Sequence, residues 1–137
     1  MAYPIPTVAA LARGPSGRVL IVRTTKWRGL WGVPGGKIEY REPMEKALFR
    51  EFLEEVGLPL FDLRFARLDE MIEDPAFYKP AHFILINYFA RADSEAVRPN
   101  EEILEWAWVL PERVLEFPLN VYTERLVRAY LKERPYG

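Results

Sequence analysis

Glu51, Glu54 and Glu55 stand at i, i+3 and i+4, so a helix through them would hold three carboxylates within one turn. Like charges at that spacing repel by about 0.2–0.5 kcal/mol per pair, and a bound divalent cation with oxygen ligands would turn that repulsion into attraction. Alone, such a trio reads as an ordinary solvated face. Three features argue for chemistry instead. Arg50 is placed to brace the carboxylates, a Pro34-Gly35-Gly36-Lys37 turn leads in, and the whole spacing is G-x5-E-x7-R-E-h-x-E-E-x-G-h, with h apolar. It runs from Gly36 through Glu42 to Gly57 and Leu58. A chance match to its fixed Gly, Glu and Arg positions in a chain this long has a probability of roughly one in a million.

The elements that must position these groups follow from periodicity. A helix is predicted over 43–56, with Pro43 at the first helical position and Gly57 at the stop. At about 100° per residue, Leu48, Phe49, Phe52, Leu53 and Val56 gather on a packing side, while Glu51, Glu54 and Glu55 share another. Before it, the apolar runs 7–12 and 19–23 flank Gly14-Pro15-Ser16-Gly17 and read as a β-hairpin. A Trp- and Gly-rich loop, 24–32, leads to Val33 and the Gly35-Gly36 turn. After the helix, 63–72 reads as a strand, and 82–90 (HFILINYFA) as a strand central in the sheet. A loop over 93–100, a strand over 106–110, a short helix opened by Pro111-Glu112 and an amphipathic helix over 121–132 complete the chain. Strands with interspersed helices but no regular βαβ alternation predict an α+β (α/β) fold, a mixed sheet flanked by helices.

With 137 residues, half of them hydrophobic, the chain suits one domain over 1–137. The net charge of −1 comes from interspersed acids and bases, so no basic tract points to a stable nucleic-acid complex, whereas a small phosphorylated molecule is compatible. The absence of cysteine excludes disulfides, thiolate metal sites and cysteine nucleophiles. No basic leader precedes an apolar stretch and no run approaches the ~18 apolar residues of a membrane helix, so a cytoplasmic protein without membrane contact is expected. The composition is compatible with a monomer or a homodimer.

The motif from Gly36 to Leu58 is similar to the Nudix box, and the chain resembles the Nudix hydrolase superfamily of the MutT type, also through Pro34-Gly35-Gly36-Lys37-Ile38-Glu39. Asn100-Glu101-Glu102, Ala107-Trp108-Val109, Pro111-Glu112 and Leu119-Asn120 with Thr123 resemble the tail of the superfamily's bacterial nucleoside triphosphatases. Two positions depart from the pattern: Arg41 stands where glycine is common, and Phe52 where the apolar residue is more often aliphatic. The resemblance implies an α/β/α sandwich and cleavage of a nucleoside diphosphate linked to another moiety, with Mg2+ or Mn2+. It assigns the metal to Glu51, Glu54 and Glu55 with the Gly35 carbonyl, and the base to Glu51 or to a loop acid, Glu101 or Glu102. Arg50 is expected to orient Glu54, and Glu42 to support the helix start or the ligands from behind.

Arg23, Lys26, Arg28 and Lys37 flank this region and read either as phosphate contacts or as solvated charges. Trp27 and Trp31 read either as nucleobase platforms or as packing under the Gly-rich turn. Asn120 matches a base-contacting position of some family triphosphatases, and His82 reads as structural. The leading expectation is a nucleoside triphosphate pyrophosphatase. An ADP-ribose-type diphosphate sugar pyrophosphatase is the alternative, and a non-catalytic nucleotide-sensing module is a third reading.

Overall fold

The computed structural model describes residues 2–137. Its strands are β1 (Ile5–Arg13), β2 (Val19–Thr24), β3 (Trp31–Gly32), β4 (Gly35–Lys37), β5 (Leu60–Ile72), β6 (His82–Ala92) and β7 (Ile103–Val109). Its helices are α1 (Met44–Val56) and α2 (Val121–Glu133), with 3-10 turns at Thr25–Trp27 and Pro111–Glu116. The sheet runs β3-β2-β1-β6-β5, with β4 added to β1 and β7 to β2. It is mixed, as expected. β6 lies parallel to β1 from Ile5↔Phe83 to Arg13↔Arg91, while β5 is antiparallel to β6. The apolar run of β6 thus forms an interior strand, consistent with burial on both faces.

Alternation along β1 sends side chains to two cores. Val8, Ala10 and Ala12 join Leu20, Val22, Phe52 and Val56 on the α1 side. Leu11 joins Val19, Ile21, Phe89, Leu126 and Tyr130 on the α2 side. Helices therefore cover both faces, the α/β/α arrangement the resemblance implies. Among the described residues no helix is long and apolar enough to cross a membrane.

Local details differ from expectation. Pro43 is the N-cap of α1, in extended conformation (φ −62°, ψ 144°), its carbonyl accepting from Ala47 N. Gly57 ends the helix at φ 70°, its N–H donating to the Leu53 carbonyl. The packed seam of α1 is Ala47, Leu48, Phe52, Glu55 and Val56, whereas Leu53 faces solvent. A pattern of apolar types assigned Leu53 to the core; the sheet contacts the arc one turn round from it, and that arc includes a carboxylate. Gly35-Gly36 is strand β4 rather than a turn, in register with β1 through Ala9↔Gly35 and Val8↔Gly36. Arg41 adopts φ 65°, so the turn into α1 keeps the left-handed conformation that glycine takes most easily.

Candidate active site

A cleft of about 750 Å³ opens between α1, the β4 edge, the sheet floor and the start of α2. Its acidic wall is Glu51 and Glu54 of α1 with Arg50. Arg50 is anchored by two hydrogen bonds to Glu42, Nε to Oε2 at 2.8 Å and Nη2 to Oε1 at 2.9 Å, and donates to the Lys37 carbonyl at 3.1 Å. Its Nη1 reaches Glu51 at 2.9 Å and Glu54 at 3.4 Å. The bidentate pair with Glu42 and the bond to Glu51 are the main contacts, so Arg50 braces Glu42 and Glu51 more closely than the Glu54 expected from sequence. The Arg50 guanidinium, helped by the Glu39 amide, holds the Glu42 carboxyl down to about 2. These carboxylates in turn raise the Arg50 pKa, the Glu42 hydrogen bond foremost.

Glu55 is different in kind. It is 4 % exposed, does not line the cleft, and accepts one hydrogen bond, from Gly35 N–H at 2.9 Å. Burial first, then the charge of Glu51, pushes its carboxyl up to about 8, with the Gly35 amide opposing. Burial also raises Glu51, against the pull of Arg50. Gly36 makes the room: a Cβ there would overlap the Glu51 carboxylate. Gly35 has none to spare either, since a Cβ would overlap the Val8 carbonyl. At Gly35 the structure shows the amide in use, holding Glu55.

Among the described residues no three acidic or imidazole groups converge as a ready-made metal cage, because Glu51 is drawn to Arg50 and Glu55 to Gly35. The donor set still suits a hard divalent cation: oxygen-only ligands, two of them with carboxyls raised by burial and neighbouring negative charge that a cation would relieve. Without metal, Glu55 weakens the fold as pH rises. A carboxyl raised from 4.5 to about 8 favours the folded state fully below pH 4.5, and that contribution is lost between 4.5 and 8. Urea melts in EDTA are expected to show wild type losing stability from pH 6 to pH 9. Glu55→Gln should lose less and be more stable at pH 9 by about 2 kcal/mol or more, each pKa unit being about 1.4 kcal/mol. A variant less stable than wild type at pH 9 would show that the carboxylate is a structural anchor.

Opposite the acidic helix stands Glu102, whose carboxylate lies 3.5 Å from Lys26 Nζ. Its loop is tied to the end of α1 by Asn100 N–H to the Glu55 carbonyl (2.9 Å) and Arg98 N–H to the Val56 carbonyl (2.8 Å). Asn100 Oδ1 also accepts from Glu102 N–H at 3.0 Å. Glu102 thus faces the site from a tethered loop, and its charge is felt at both Glu51 and Glu55. Glu101 lines the cleft as well.

The structure sorts the other candidates. Lys26, Trp27, Lys37 and Asn120 line the cleft. Arg23 does not; it is paired with Glu105 at 2.6 Å, because its strand position puts it opposite Glu105 of β7. Arg28 is spent on the Pro75 and Tyr78 carbonyls. Trp31 packs edge-on to Phe117 at 5.4 Å away from the cleft, whereas Trp27 faces it, against Phe77 at 4.9 Å. His82 pairs with Glu70 at 2.9 Å. Asn120 caps α2, its Oδ1 accepting from Thr123 N–H at 2.8 Å. Sequence reasoning missed Phe77, Tyr78 and Lys79, from the loop between β5 and β6, and Asn87 on the cleft floor. The loop carried no spacing signal. Asn87 did carry one, as the lone carboxamide in an apolar strand.

This fold and its acid-walled cleft define a hydrolase of the MutT kind. The NUDIX domain profile matches residues 4–130, and the chain belongs to that family as a Nudix hydrolase. Among curated relatives, the nucleoside triphosphatase NudI of Escherichia coli (strain K12) is 30% identical over 106 residues, 73% of this chain and 75% of that protein. The crystal structure of a MutT NUDIX hydrolase from Burkholderia pseudomallei superposes with a TM-score of 0.79 at 26% identity, covering 93% of this chain and 98% of that one. The NUDIX domain of Shewanella oneidensis NrtR, solved with ADP ribose, has a TM-score of 0.79 at 21% identity, over 98% and 90%, and shares the fold.

Proposed function

We propose that the protein is a divalent-cation-dependent nucleoside triphosphate pyrophosphatase, converting a nucleoside triphosphate and water to the monophosphate and pyrophosphate. The observation that carries this reading is one continuous cleft whose acidic wall, Glu51 and Glu54, shares its space with Lys26, Lys37 and the aromatic side chain of Trp27. A triphosphate needs charge neutralisation at one end and a surface for the base at the other. The triphosphatase relative at 30% identity supports it.

Glu51, Glu54 and Glu55, with the Gly35 carbonyl, would hold Mg2+ or Mn2+. When bound, such an ion lowers the pKa of water and neutralises phosphoryl oxygens. The chain's own groups do the rest. Arg50, fixed by Glu42, keeps Glu51 oriented, and Lys26 and Lys37 set positive charge beside the anionic chain of the substrate. Glu51 and Glu102 are the carboxylates placed to take the proton of the attacking water. Free nucleotides in the cytoplasm, rather than nucleic acid or a membrane, are the proposed partners, acted on by a monomer or homodimer.

A panel of ribo- and deoxyribonucleoside triphosphates, diphosphate sugars including ADP-ribose, and dinucleoside polyphosphates separates the readings, with phosphate and pyrophosphate measured separately. Pyrophosphate release from triphosphates with Mg2+ or Mn2+, abolished by EDTA, is expected. Turnover of ADP-ribose alone would transfer the assignment to diphosphate sugars. Binding without turnover of any of them would leave a nucleotide-sensing module.

A further inference from the structure

We infer that Asn87 reads the base of the nucleotide, as a specificity-determining contact on the floor of the cleft; this rests on the nucleotide reading above. Asn87 shares one face of β6 with Phe83 and Leu85, and all three line the cleft. It is 5 % exposed and makes no side-chain hydrogen bond within the protein among the described residues, where no fully buried side-chain polar atom is left unpaired, so its carboxamide opens to the cleft. A carboxamide so nearly buried is normally paired within the protein, so one left open only to a cleft is available to a ligand there. Its cross-strand neighbours do not serve it. Arg67, opposite it on β5, is committed to Asp69 at 2.8 and 3.0 Å, and Ala9, opposite it on β1, has no polar side chain.

The register places this free carboxamide at a useful distance from the acidic wall. Asn87 lies beside Ala9, and Ala9 beside Gly35, so two strand spacings of about 4.8 Å separate it from Gly35, about 10 Å in all. That is the reach from the phosphates of a nucleotide to its base. Trp27 supplies an aromatic side chain to the same cleft. A phosphate would be met by cations, such as Lys26 and Lys37 elsewhere in the cleft. A free carboxamide instead offers one donor and one acceptor side by side, the complement of a base edge carrying an adjacent acceptor and donor. Asn120 has its Oδ1 already engaged by Thr123 N–H in capping α2, so its orientation is fixed by the helix rather than free to follow a base.

The test compares wild type, Asn87→Leu and Asn87→Asp on the triphosphates of the common bases and on ribose 5-triphosphate, which has none. Asn87→Leu is expected to shrink the ratio of kcat/KM between best and worst base at least about tenfold. Hydrolysis of ribose 5-triphosphate should stay within about twofold, and the melting temperature should change little, since no hydrogen bond within the protein is removed. Asn87→Asp, an acceptor only, should shift preference toward bases that present an amino group. Unchanged base selectivity, or an equal loss on every substrate including ribose 5-triphosphate, overturns the inference. If wild type hydrolyses no triphosphate, the reaction assignment fails, and calorimetric binding of the nucleoside monophosphates decides the role of Asn87. Base preference present in wild type and lost in Asn87→Leu supports it; the same preference in both, or none in either, overturns it.

Discussion

Glu55→Gln is expected to lower kcat by about a thousandfold or more while leaving the fold intact and the apo protein at least as stable as wild type. The two halves come from one cause. A carboxylate 4 % exposed, with a single amide donor and the charge of Glu51 beside it, is a poor structural group on its own. It becomes favourable only when a cation joins it, and losing several kcal/mol of such stabilisation in the transition state amounts to about three decades in rate. Steady-state kinetics against Mg2+ and Mn2+ concentration, with thermal melts in EDTA, measure both halves. Activity near wild type would remove Glu55 from the metal set. Glu102→Gln should fall between wild type and Glu55→Gln, with kcat lower by about tenfold or more at similar KM, because its tether places it across from the proposed metal carboxylates rather than among them. A rate unchanged in Glu102→Gln would confine the base to Glu51.

How far the sequence carried the reading depends on the kind of signal. Spacing identified the acidic helix, its stop at Gly57 and the brace at Arg50, because a local motif encodes local geometry. Strand order was less legible. Apolar runs marked β1, β2 and β6, but the parallel pairing of β1 with β6 is a relation between distant segments that hydropathy does not encode. The same limit explains Arg23, basic and near the motif in sequence but turned by strand pairing toward Glu105. Leu53 shows it for α1, since helical periodicity gives an apolar arc but not the edge at which the sheet stops covering it. Glu55 is the inverse case: grouped by charge with the exposed Glu54, it is buried by its position one residue further round the helix.

Gly36→Ala is expected to cut kcat/KM by about a hundredfold with little change in melting temperature, whereas Gly35→Ala should damage the fold itself. Both glycines sit in β4 with ordinary negative-φ backbone, so conformational freedom is not what they supply. They supply absence of bulk, and what each Cβ would strike differs. At Gly36 the obstacle is the carboxylate end of Glu51, which can rotate away and lose its bond to Arg50. Displacing a reacting or ligating group by about 1 Å costs on the order of 10²-fold in rate, and turning the largely buried Glu51 carboxylate out into the open cleft costs little stability. At Gly35 the obstacles are the Val8 carbonyl and the Ala9 backbone, neither of which can move without opening β1 against β4. Overpacking of that kind costs about 1–3 kcal/mol, and the Gly35 amide that holds Glu55 shifts with it. Parallel melts and kinetics of the two variants distinguish these outcomes. Equal loss of stability in both would mean that β4 cannot yield at either position, and full activity in Gly36→Ala would show that the placement of Glu51 seen here is not the one catalysis uses.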